Sequence, residues 1–137
     1  VGSEPTVPND ESVSRFIYSA DYIYKEGGKP RPGAFLPRFE QAFNRHETSV
    51  CHLNGCADDR VWELALTSRP EQVLKGRVDF TVGLATAQTL ECLSSPEHNY
   101  QEHAVLVNWP ADKENQKRIA MQLAKSCPAV TTRPASN

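Results

Sequence analysis

The chain has 137 residues, 39% of them hydrophobic and 23% charged, with a formal net charge of −2. That length suits one domain of about 100–150 residues burying about two thirds of its unfolded surface, so folding needs neither metal nor disulfide. The balance of 15 basic against 17 acidic residues argues against a protein built to hold nucleic acid, which gathers Lys and Arg to displace counterions from phosphate. No apolar run approaches the ~20 residues of a membrane span, and residues 1–11 lack a signal peptide's apolar centre. A cytoplasmic setting is the expectation.

Residues 1–10, with Pro5 and Pro8, read as a loose arm. Between 12 and 25 two patterns compete. Val13, Phe16, Ile17, Ala20, Ile23 and Tyr24 follow helical spacing, while the density of Phe, Ile and Tyr favours a strand. A short strand over 15–18 followed by a turn is the preferred reading. The stretch 27–37 is a loop, punctuated by Gly27, Gly28, Pro30, Pro32, Gly33 and Pro37. Inside it Ala34-Phe35-Leu36 forms an apolar plug for the edge of the core. A strand over 48–53 ends at Asn54-Gly55, a strong turn pair.

Asp58 is placed to cap a helix over 58–66, whose inner stripe of Val61, Leu64 and Ala65 is widened by Trp62 and Leu66. Residues 77–84 alternate as a strand: Val78, Phe80, Val82 and Leu84 face inward, and Arg77, Asp79, Thr81 and Gly83 face water. A brief helical turn at 85–88, a strand over 89–93 and a polar loop over 94–101 follow. The run 104–107 is apolar throughout, the mark of a strand covered on both faces. After Trp109-Pro110, Asp112 caps a helix to 127 that buries Gln116, Ile119, Ala120, Leu123, Ala124 and Cys127. Together these predict an α+β fold: a small, mainly antiparallel or mixed sheet of four or five strands, packed on one side by two or three helices. The domain spans 11–128, with flexible tails at 1–10 and 129–137.

Ionisable residues offer several candidate sites. Cys51, His52, Cys56, Cys92, His98 and His103 are zinc-ligand types, but only Cys51 and Cys56 are closely spaced and no second tight pair completes a tetrahedron. No metal and no cofactor are therefore expected. Glu97, His98, Glu102 and His103 could supply acid–base chemistry, since a carboxylate beside an imidazole fixes its tautomer. The plainer alternative is a strand-capping His103 and a solvated His98. Gly27-Gly28-Lys29 with Arg31 lacks either glycine-rich phosphate pattern. The four cysteines read as free thiols whose burial would silence them. Tyr18, Tyr22, Tyr24, Phe39, Phe43, Trp62 and Trp109 border loops, and Trp109, Phe35 and Tyr18 are the expected anchors of a partner surface.

Arg15-Phe16-Ile17-Tyr18, Ala34-Phe35-Leu36-Pro37, Thr48-Ser49-Val50, Trp62-Glu63-Leu64-Ala65 and Gly76-Arg77-Val78-Asp79 succeed one another, followed by His103-Ala104, Trp109-Pro110 and the 119–124 helix. Their order resembles a family of small bacterial proteins of unassigned function carried by mobile elements such as gene cassettes or defence islands. The resemblance implies a compact domain, makes little use of Cys51, His52 or Cys56, and transfers no catalytic residue. The leading functional expectation is a non-enzymatic binding or accessory protein acting through protein contacts, with itself or another chain. A second is a small hydrolase or nuclease-like toxin using His98 and His103 with Arg77 or Asp79. A third is a small-ligand sensing domain whose 27–37 loop folds over a pocket.

Overall fold

The computed structural model describes residues 4–134. Its strands are β1 (Ser12–Ile17), β2 (Arg38–Glu40), β3 (Arg45–His52), β4 (Gly76–Thr81), β5 (Glu91–Ser94) and β6 (His103–Val107). Five of them lie in the order β4-β1-β3-β6-β5, and β2 pairs beside the start of β3. Every strand pairing is antiparallel. The α+β expectation holds, with one short strand more than anticipated.

Strand alternation sends each strand's residues to two faces, and both are covered. On one face Val13, Val50, Val78, Phe80, Ala104 and Leu106 pack with Ile119, Ala120 and Leu123 of α3 (Lys113–Ser126). On the other, Cys51 and Tyr100 pack with Val61 and Leu64 of α1 (Asp58–Thr67). The register Ser14↔Cys51 and Val13↔His52 fixes this division. The two helices expected to share one side therefore take opposite sides. The reason is β6, whose five residues are all buried, so that neither of its faces is left to water.

Local chemistry sets the helix ends. The Asp112 carboxylate accepts the Asn115 backbone N–H at 3.0 Å, starting α3 as anticipated. In α1 the capping position belongs to Ala57, not Asp58, whose carboxylate is taken by Arg77 at 2.6 Å. The strand expected over 77–84 stops at Thr81 and turns into α2 (Val82–Thr86). There the Val82 and Gly83 N–H groups donate to Glu11 and Asn9 carbonyls at 2.9 and 3.0 Å, which draws the chain off the strand path.

Segments expected to hang free instead line the sheet edges. Val7 is only 2% exposed. Its N–H donates to the Cys92 carbonyl at 2.8 Å, and Ser94 N–H donates to Pro5. On the opposite edge Arg77 and Thr131 exchange backbone bonds of 2.9 and 2.8 Å. An edge strand carries a row of unmatched donors and acceptors, and these segments satisfy part of it. The expected tails also include 1–3 and 135–137, which lie outside the described residues. The 27–37 loop carries its plug as read: a 3-10 turn at Pro32–Phe35 buries Phe35 edge-on against Phe80, with 5.8 Å between ring centres.

Candidate functional site

The cleft of interest begins where two strands part company. β1 pairs with β3 only at Val13 and Ser14, and β2 takes up pairing with β3 at Glu47. The stretch of β3 between them, Thr48–Val50, has no strand on that side. Arg15 fills the gap. Its Nη1 donates to the Ser49 carbonyl at 2.9 Å and its Nε to the Ala34 carbonyl at 2.7 Å. Thr48 Oγ1 donates to the Phe35 carbonyl at 2.9 Å, binding the plug to the same stretch. A guanidinium thus does the work of missing ladder bonds, as a planar fork of donors can.

Beside this gap lies a cleft of about 750 Å³, within the size range of small-ligand sites. Its walls include Arg15, Tyr18 and Tyr22, then Gly33–Arg38 in part, then Ser49, Ser68, Arg69, Glu71, Glu97, Tyr100 and His103. Tyr18 is anchored by donating to the Ala65 carbonyl at the end of α1 at 2.6 Å. A Cβ at Gly33 would stand 2.8 Å from the Tyr22 ring, so any side chain there would push that ring from its place in the wall. Burial, then the like charge of Arg69, lowers the Arg15 pKa to about 10. At neutral pH the group is still a cation, and among the described residues no carboxylate lies within 4 Å of it.

His103 reaches this cleft from β6. Ser49 and His103 sit diagonally across the β3–β6 ladder, whose register is Ser49↔Val105 and Cys51↔His103. Long side chains reach such diagonal neighbours. His103 Nε2 is 3.1 Å from Ser49 Oγ, and Nδ1 is 2.8 Å from the Ser95 carbonyl. The Tyr100 ring packs edge-on against the imidazole, and the Glu97 carboxylate stands 3.8 Å from Nδ1.

The other anticipated residues do not assemble there. His98 is exposed on the loop and is not among the cleft walls. Glu102 faces Arg60 at 3.3 Å and Cys56 at 3.8 Å, and the Arg60 cation holds its carboxyl below the usual range against the opposing effect of burial. Arg77 and Asp79 were expected to line a wet face with His103. Arg77 instead pairs with both Asp79 and Asp58 beneath α1, lying 4.8 Å from the Trp62 ring and only 8% exposed. Two strands separate β4 from β6, which puts the groups about 14 Å apart at the usual strand spacing. Trp109 and Phe35, expected as partner anchors, are core residues; Trp109 spends its indole N–H on the Leu106 carbonyl. A side chain already buried has little area left to bury against a partner. Of the three, Tyr18 alone opens into the cleft.

Sequence reasoning passed over Arg15, Ser49, Arg38 and Arg69. One signal was readable: Val13, Arg15 and Ile17 share strand parity, which places an arginine between two fully buried aliphatic residues. Among the described residues, no three His, Cys, Asp or Glu gather in a metal-binding group, and no helix is long and apolar enough to cross a membrane. No family model, curated protein or solved structure matches the chain.

Proposed function

We propose that the protein binds a small anionic ligand in the Arg15–His103 cleft, the ligand-sensing reading with the 27–37 loop forming one wall. One contrast carries this reading. Arg45, Arg60 and Arg77 each hold a carboxylate within 4 Å, whereas Arg15, Arg38 and Arg69, which line the cleft, hold none among the described residues. Planar guanidiniums are the side chains best suited to carboxylate and phosphate oxygens. Tyr18, Tyr22 and Leu36 offer surface for an apolar or ring portion, and Glu71 and Glu97 offer acceptors for hydroxyl groups.

The test is thermal stability in sulfate, citrate, inorganic pyrophosphate and adenosine monophosphate, each against chloride at equal ionic strength. At least one is expected to raise the Tm, since a ligand at about 100 times its Kd adds about 2.7 kcal/mol. Arg38→Ala with Arg69→Ala is expected to weaken that ligand at least ~10-fold, the lower end for losing charge-assisted bonds. Absence of stabilisation by all four anions would overturn the reading.

A second reading, contact with a cytoplasmic protein partner or a second copy of the chain, draws on the hairpin of β2 and β3. There Phe39 and Phe43 are 50% and 52% exposed. Sedimentation should then show association that Phe39→Ser with Phe43→Ser abolishes. A monomer at high concentration argues against self-association.

A further inference from the structure

We infer that Ser49 is a nucleophile with His103 as its general base, and that the cleft hydrolyses carboxylic esters bearing an anionic group. The substrate's charge rests on the anion-binding reading; the nucleophile does not. The Ser95 carbonyl can only accept, so its 2.8 Å contact requires the proton on His103 Nδ1. In the neutral ring Nε2 then carries the lone pair, and it points at Ser49 Oγ from 3.1 Å. This is the tautomer and the distance that a serine–histidine pair needs. The orienting bond is held in a closed hairpin: Ser95 N–H donates to the His103 carbonyl at 2.9 Å, and Glu97 and Tyr100 exchange two backbone bonds of 2.9 Å. The imidazole therefore has little freedom to turn away. Glu97, 3.8 Å from Nδ1, places a carboxylate where an imidazolium would form.

Both reacting side chains line the cleft, so a substrate held there meets the hydroxyl directly. Arg15 adds the charge. It donates through Nη1 to Ser49's own carbonyl, which sets the guanidinium next to the nucleophile, and Nη2 has no hydrogen-bond partner among the described residues. A fixed cation beside the attacked carbonyl stabilises the oxyanion that develops on it.

The chemistry closes without a co-reactant other than water. Ser49 Oγ bonds to the ester carbon while its proton passes to His103 Nε2. The carbon–oxygen bond to the leaving alkoxide breaks as Nε2 returns the proton to it, releasing the alcohol. Water, deprotonated by the same Nε2, then attacks the acyl-Ser49 ester. The proton finally returns to Ser49 Oγ, the carboxylic acid leaves, and the pair is restored.

The test uses the full chain with a fluorophosphonate probe and peptide mass spectrometry, beside turnover of the 4-nitrophenyl monoester of succinic acid and of 4-nitrophenyl acetate. The expected result is a single phosphonyl adduct on Ser49, absent in Ser49→Ala. His103→Gln, which keeps an amide in the hydrogen-bonded position, should slow labelling and turnover about 100-fold, the lower range for loss of a general base. The succinate monoester should be cleaved faster than the acetate. Wild-type protein that keeps its anion-dependent Tm shift but shows no adduct, or one on another residue, would overturn the nucleophile and leave the binding reading standing. An adduct on Ser49 without any anion-dependent shift would support the nucleophile, overturn the binding reading and leave the substrate uncharged.

Discussion

Single side chains in this protein take their chemistry from which face of the sheet they meet. Cys51, Cys92 and Cys127 are buried, and burial pushes their thiols up to about 12, 12 and 11. In the unfolded chain such thiols ionise near ~8.5. Between those values the folded form holds more protons, so their stabilising effect is complete below the unfolded pKa and is lost as pH rises through the window. Each contributes at most about 1.4 kcal/mol per pH unit there. Urea midpoints measured at pH 8 and pH 10 should therefore fall with pH. At pH 8 an aromatic disulfide reagent should modify only Cys56, the half-buried thiol, and slowly, since burial raises its pKa too. Rapid reaction of three or more thiols in the native protein would contradict this packing. The same logic separates Arg77 from Arg15. Arg77 found two carboxylates and a Trp62 ring under a helix, while Arg15 found carbonyls and an open cleft.

At the level of elements, the parting of β1 from β3 makes the site, and the pairing of segments along the edges closes the sheet. Gly76 shows how tight that closure is. A Cβ there would stand 2.5 Å from Val130 Cγ1 and 2.7 Å from the Thr131 carbonyl oxygen. The second of these is backbone and cannot swing aside. Gly76→Ala is expected to pry 130–131 off β4 at a cost of about 1–3 kcal/mol, the range for overpacking. Amide exchange at Arg77 and Thr131, whose N–H groups bond across that edge, should accelerate while exchange in β6 holds. Unchanged exchange at those two amides would show that the edge pairing contributes nothing.

For the whole molecule, the elements that could be read were those with a long periodic pattern. The α3 stripe from Gln116 to Ala124 and the apolar run of β6 each declare one kind of structure over many residues, and both stand where expected. The 27–37 plug was legible from its punctuation, and Phe35 is fully buried. The end of β4 was not legible, because alternation through Leu84 suits a strand while the bonds that Val82 and Gly83 N–H groups donate to the Glu11 and Asn9 carbonyls, some seventy residues away, draw them into a helix. Nor were the edge segments, whose prolines describe local stiffness but not the partner they lie against. Of the cleft residues His103, Glu97, Tyr18 and Tyr22 stand out in the sequence, whereas the other candidate carboxylate beside His103, Glu102, proves to serve Arg60.

The sequence alone determined the class of the fold and the burial of β6 and α3. These depend on local periodicity and on transfer of apolar groups from water, both of which act residue by residue. Tertiary structure alone decided that Ser49 meets His103, 54 positions away in the chain, and that Arg15 stands beside them. Side chains on separate strands meet only through register and strand order, which no single segment encodes, because both emerge from how all the apolar faces are buried together.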